Sequence, residues 1–207
     1  MSRTFLALAA LLSLPALAAE PAAAPRAFVF NDPNSRDTVA FMLDAPLEVI
    51  NGLSNEVRGR VEVKGTKASG KFQLPVKSIK TGNDTRDEHL RNDRWLDAAK
   101  SPDIVFEFVD LALPSALEAG KPVKVKGKGR FTLRGVTREE PVEVTATYFK
   151  ESSETKNRAA GDLLRVRAKF QIPLEAYGIQ RTEALVLKVG ETAEVNVDAW
   201  GSTQFKL

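Results

Sequence analysis

From residue 39 onward, apolar and polar residues alternate in segment after segment. A period of two belongs to an extended strand with one buried and one wet face, and it excludes a chain built from amphipathic helices, whose period is 3.6. Val39, Phe41 and Leu43 share a face, as do Val57, Gly59, Val61 and Val63, with Glu56, Arg58, Arg60, Glu62 and Lys64 opposite. Phe72, Leu74 and Val76 continue the pattern, and so do Ile104, Phe106 and Phe108. The longest run sets Val123, Val125, Gly127, Gly129, Phe131 and Leu133 against Lys124, Lys126, Lys128, Arg130, Thr132 and Arg134. Val142, Val144, Ala146 and Tyr148 follow, then Leu164, Val166, Ala168, Phe170 and Ile172, and finally Val195, Val197 and Ala199.

About eight such strands and one substantial helical segment predict an all-β fold: a single antiparallel eight-stranded barrel with one short helix packed against it. A two-sheet sandwich satisfies the same alternation. Gly127 and Gly129 on the inner face allow tight bending or leave room inside. A turn at Gly135 and Val136 would pair Arg134 with Thr137, placing Lys128 opposite Glu143 and Gly129 opposite Val142. The lysine stripe then reads as a solvated, charge-paired sheet face, with a phosphate-recruiting or anionic-lipid patch as the other reading.

The chain opens MSRTFLALAALLSLPALAAE, in which Arg3 precedes an apolar run from Phe5 to Leu17 and small residues follow. That order predicts a secretory signal over residues 1–19. The run is shorter than the roughly 20 residues that span a bilayer, so a soluble, periplasmic or secreted protein without a membrane anchor is expected. Residues 20–26 read as a flexible leader, and residues 27–207 as one domain. There is no cysteine among the 207 residues, which removes disulfides, thiolate nucleophiles and thiolate metal ligands. A net charge of +3 without clustering argues against nucleic acid as a partner.

Alternation stops after Ile79. Thr81 to Asp97 then holds four aspartates, a glutamate, three arginines and the chain's one histidine. Gly82 and Asn83 favour a turn, Asp84 is the expected N-cap, and Asp87 would complete a capping box. Leu90, Trp95 and Leu96 would press onto the barrel. His89 and Asp93 share a helical face, but zinc requires three or four protein ligands and calcium an alternating oxygen register, so no metal is expected. A general base at His89 beside Asp87 or Asp93 has no G-x-S-x-G serine or cysteine to activate, so no catalytic residue is assigned. A capped, salt-bridged helix explains the same residues.

The stretch SIKTGNDTRDEHL, Ser78 to Leu90, resembles the signature of YceI-like proteins, in which a strand ending S-I-x-T-G-N leads into a helix carrying R-D-x-H-L. Trp95-Leu96-Asp97, Pro102, Ile104, Phe106, Gly129, Phe131, Thr132, Gly135, Val136, Thr137, Pro141, Val142 and Tyr177-Gly178-Ile179 match in order. The resemblance implies an extended, lipocalin-like barrel, commonly periplasmic, that binds a polyisoprenoid or other long amphipathic lipid in an apolar interior. Many relatives carry D-P-x-H-S and a further histidine in the first strands; this chain reads Asp32-Pro33-Asn34-Ser35 and Phe41-Met42-Leu43, without them.

On that reading the inward row of Phe41, Leu43, Leu74, Val76, Phe106, Phe108, Phe131, Leu133, Val144, Tyr148, Val166, Phe170, Val195 and Val197 either lines a lipid channel or fills the barrel. Arg86, Asp87, His89 and Arg91 would meet a polar head group at the rim. The expected ligand is a polyprenyl lipid or isoprenoid quinone, with no other cofactor. A lipid-acting enzyme using His89 and a ligand-free structural protein are the competing readings, and a homodimer is left open.

Overall fold

A computed structural model describes residues 24–207; the signal-sequence expectation lies outside them. Ten strand segments form one antiparallel sheet: β1 Arg26–Phe30, β2 Thr38–Asp44, β3 Val49–Ser54, β4 Arg58–Lys64, β5 Lys67–Pro75, β6 Asp103–Ala112, β7 Pro122–Leu133, β8 Val136–Phe149, β9 Leu163–Pro173 and β10 Thr192–Ser202. β1 pairs with both β4 and β10, so the sheet closes on itself and the sandwich is excluded. The barrel has eight staves, because two of them are interrupted: β1 and β2 lie along one, β3 and β4 along the next, with β2 continuing against β10 and β3.

Two of the ten segments carry no alternation signal. β1, RAFVF, is a nearly continuous apolar run whose Phe28 and Phe30 are fully buried. It begins at Arg26, inside the stretch expected to be leader. β3, VINGLS, is broken by Asn51 and Gly52. β5 ends at Pro75, and Val76 opens a 3₁₀ turn instead of extending the strand.

The β7–β8 hairpin turns at Arg134 and Gly135, both with positive φ (50° and 75°), one position earlier than expected. Two positive φ values suit the right-handed twist of the flanking strands. Arg134 is held there by its guanidinium, which donates to the Gly178 and Asp93 carbonyls at 2.7 Å each. Leu133 therefore faces Val136, Lys128 faces Pro141 and Gly129 faces Glu140. The slip is an even number of residues, so every side chain keeps its face. The outer stripe is charge-paired through Lys126–Glu143 (3.1 Å) and Lys128–Glu139 (2.7 Å). Glu107 on β6 binds Lys71 of β5 and Arg130 of β7, and these hydrogen bonds hold its carboxyl below the usual range.

Helix α1, Asp84–Arg91, is capped by Asn83, not Asp84: the Asn83 side chain accepts from the Arg86 amide at 3.0 Å. Asp87 forms no capping box. Its carboxylate, 2% exposed, instead accepts from the Thr81 amide (2.8 Å) and hydroxyl (2.7 Å) and pairs with Lys80 (3.4 Å). Burial would raise its pKa, but these bonds outweigh burial and hold it low. A second, four-residue helix, α2 Ser153–Lys156, lies at the other end of the barrel. Among the described residues, no helix is long and apolar enough to cross a membrane.

Candidate functional site

The inner rows do not meet. They enclose an apolar cavity of about 260 Å³ that runs from Leu43, Ile172 and Ile179 at the α1 end to Val63, Leu113 and Leu117 at the α2 end. Leu164 and Ile172 both line it, and eight residues of β9 correspond to about 26 Å along the strand. Among the described residues, Gln73 and Glu140 are the only amide or charged side chains that line it. The Tyr177 hydroxyl donates to Glu140 at 2.6 Å, and Tyr177 itself is fully buried. Burial first, and then the Glu140 carboxylate, push the Tyr177 phenol far above its ordinary pKa.

The lumen stays open because aromatic rings lie against the wall. Phe41 and Gly52 are direct cross-strand partners, and the Phe41 ring occupies the space a Cβ at Gly52 would take. Phe108 covers Gly70 in the same way, and Phe106 covers Gly129. Leu111 lies over Gly127. Each missing side chain is thus filled from the neighbouring strand, and the ring that fills it is kept out of the barrel axis.

With two exceptions, the interior candidates named from sequence line this cavity. Val76 is buried in its 3₁₀ turn, away from the lining. Tyr148 packs edge-on against Phe28 and donates to Asp162 at 2.7 Å, so it fills the α2 end. Leu90, Trp95 and Leu96, which follow or end α1, contribute to the wall, as do Leu113, Leu117, Leu174 and Ile179 from loops. The loop residues have no period to reveal them. Ile179 is placed by Gly178, whose φ of 70° closes the turn after Tyr177.

At the α1 end a second pocket, about 320 Å³, adjoins the cavity and shares Phe41, Leu43, Leu90 and Trp95 with it. Its remaining wall is mixed: Glu48, Thr81, Asn83, Thr85, Arg86, His89 and Lys188 bring polar groups, and Ile50, Leu185 and Val189 apolar ones. Arg86 is fixed here by Glu48 (2.7 Å) and the Thr81 hydroxyl (3.1 Å). Of the four rim candidates, Arg86 and His89 border this mouth. Asp87 is turned inward to Thr81, and Arg91 lies off the pocket wall. Among the described residues no group of three or more His, Cys, Asp or Glu is placed to hold a metal.

A closed eight-stave barrel with a lengthwise apolar cavity and a polar mouth defines the class of lipocalin-like barrels. The chain belongs to the YceI-like family: the model of the YceI-like domain matches residues 32–200. No curated protein matched the sequence. Among solved structures, the fold is similar to a polyisoprenoid binding domain from Saccharophagus degradans implicated in plant cell wall breakdown, with a TM-score of 0.64 at 14% identity, covering 86% of this chain and 98% of that one. Burkholderia cenocepacia BcnA gives a TM-score of 0.57 at 16% identity, covering 80% and 96%. The Campylobacter jejuni YCEI protein gives 0.55 at 16%, covering 73% and 83%. At such identities the likeness is one of fold.

Proposed function

We propose that the protein is an exported carrier that holds a polyisoprenoid, such as a polyprenyl lipid or isoprenoid quinone, in its barrel and performs no chemistry on it. The observation that carries this reading is the elongated cavity, lined almost wholly by hydrocarbon and opening toward a mouth with polar donors. A long isoprenoid gains roughly 0.8 kcal/mol for each methylene-sized unit withdrawn from water, so a dry channel is the main requirement of its carrier. Its polar end needs hydrogen-bonding groups where the channel opens, and Arg86, His89, Thr81 and Lys188 stand there. The Saccharophagus relative, described as polyisoprenoid binding, supports the same ligand class. The N-terminal sequence supports export to the periplasm.

Organic extraction of the purified protein followed by mass spectrometry tests the reading, with a long-chain isoprenoid as the expected result. A clean extract, together with no uptake of an added polyprenol, overturns it. His89→Ala should leave the lipid bound and chemically unchanged. Turnover of the lipid by the wild type that this substitution abolishes would replace the carrier with an enzyme.

A further inference from the structure

Among the described residues, eight large apolar side chains are exposed, and five of them fall on two neighbouring segments at the mouth. Leu47 (68% exposed), Val49 and Leu53 lie on the β2–β3 hairpin, and Val186 and Leu187 (52%) on the loop before β10. The two segments are joined: the Leu47 amide donates to the Leu187 carbonyl at 2.9 Å, and Gly190 packs directly on the Asp44 backbone. From the same segments Glu48, Ile50, Leu185, Lys188 and Val189 line the mouth pocket. Each segment thus sends some side chains to the mouth and large apolar ones to solvent.

We propose that this rim docks on the surface of a phospholipid bilayer, with Leu47, Val49, Val186 and Leu187 entering the acyl boundary and the mouth facing the membrane. The inference rests on the carrier reading for its purpose. Each methylene lowers a lipid's aqueous concentration about fourfold, so a long isoprenoid is collected from a membrane and not from solution. Charge fits a zwitterionic surface. Glu48 is neutralised by Arg86 (2.7 Å) and Glu191 by Arg181 (2.6 Å), while Lys188, Asp44 and Glu183 have no ion pair among the described residues. The charges left over carry both signs, as a phosphocholine head group does. Binding should therefore come from apolar insertion and depend weakly on salt.

The test is flotation of the full mature chain with phosphatidylcholine vesicles, comparing wild type, Leu47→Ser/Leu187→Ser and, as a second surface change, Val49→Ser/Val186→Ser. The wild type should float, and each double variant should partition about tenfold more weakly. Absence of wild-type flotation, or flotation of both variants at the wild-type level, overturns docking. Sedimentation velocity without vesicles guards against a second copy as the occupant: a wild-type dimer that the variants disperse would make the patch a self-association surface instead. Uptake of geranylgeraniol in vesicle-free solution separates the two readings. Equal uptake by wild type and variants, with flotation lost only in the variants, supports docking, whereas no uptake by any of them overturns the carrier and leaves the flotation result to decide docking.

Discussion

Two buried aspartates show how local partners decide the state of the same chemical group. Asp87 collects two hydrogen bonds from Thr81 and the charge of Lys80, and it stays a carboxylate. Asp37, with no exposure at all, sits in the break between β1 and β2, where Oδ1 accepts from the Trp200 amide at 2.9 Å and Oδ2 has no partner among the described residues. Arg158 stands 3.6 Å away, but it is shared with Asp32, which Arg36 also grips. Burial, with Asp32 and Asp198 adding like charge, raises Asp37 to about 6. A folded-state pKa above the unfolded value means that the native protein binds the proton more tightly. Asp37 therefore opposes folding as pH rises from about 4 through about 6, by roughly 3 kcal/mol at the plateau. Asp37→Asn keeps an acceptor for Trp200 and removes the charge. Thermal unfolding measured across this range should show its stability profile flattened and its stability at neutral pH unchanged or higher. A profile parallel to wild type would show that Asp37 does not titrate there.

The strands work as elements because rings and glycines are matched across them. Phe41 over Gly52 and Phe106 over Gly129 use the absent side chain as a seat, which places aromatic area against the wall and not across the lumen. An added methyl at Gly52 has nowhere to go except by swinging the Phe41 ring inward. Gly52→Ala should therefore weaken uptake of an isoprenoid, about tenfold, and cost about 1–3 kcal/mol of stability as overpacking does. Fluorescence titration and denaturant unfolding on one sample measure both. Retained uptake would mean that the ring has room to retreat without entering the cavity. At the rim, Gly190 plays a comparable part, since its missing Cβ lets the loop before β10 rest on Asp44 of β2. Gly190→Ala should loosen the mouth, and hydrogen exchange would register it as faster exchange of the Leu47 amide.

For the whole molecule, closure of the sheet through β1, which pairs with both β4 and β10, makes the cavity a property of the folded state alone. A ligand that occupies it binds native chain and not unfolded chain. At a free concentration about 100 times its dissociation constant such a ligand adds about 2.7 kcal/mol, a rise in melting temperature of about 5–10 °C for a domain of this size. Calorimetry with and without an added isoprenoid checks this, and an unmoved transition would show that the isoprenoid does not bind the native chain in preference to the unfolded one.

Period-two alternation determined the strands that carry it, their inward faces and thus most of the wall, because side-chain direction in a strand follows from sequence parity alone. The family signature around Ser78 to Leu90 marked α1, yet it did not disclose that Asn83 caps it or that Asp87 turns inward to Thr81. β1 and β3 were illegible for different reasons: the first buries three consecutive side chains, Phe28 to Phe30, and the second is interrupted by Gly52, whose role is to receive Phe41. The turn at Arg134 was equally hidden, since its positive φ is supported by acceptors on Asp93 and Gly178, distant in the chain. Whether the inner rows meet was decided by tertiary structure, because parity says only that a side chain points inward, while ring against glycine on the adjacent strand fixes how far it reaches.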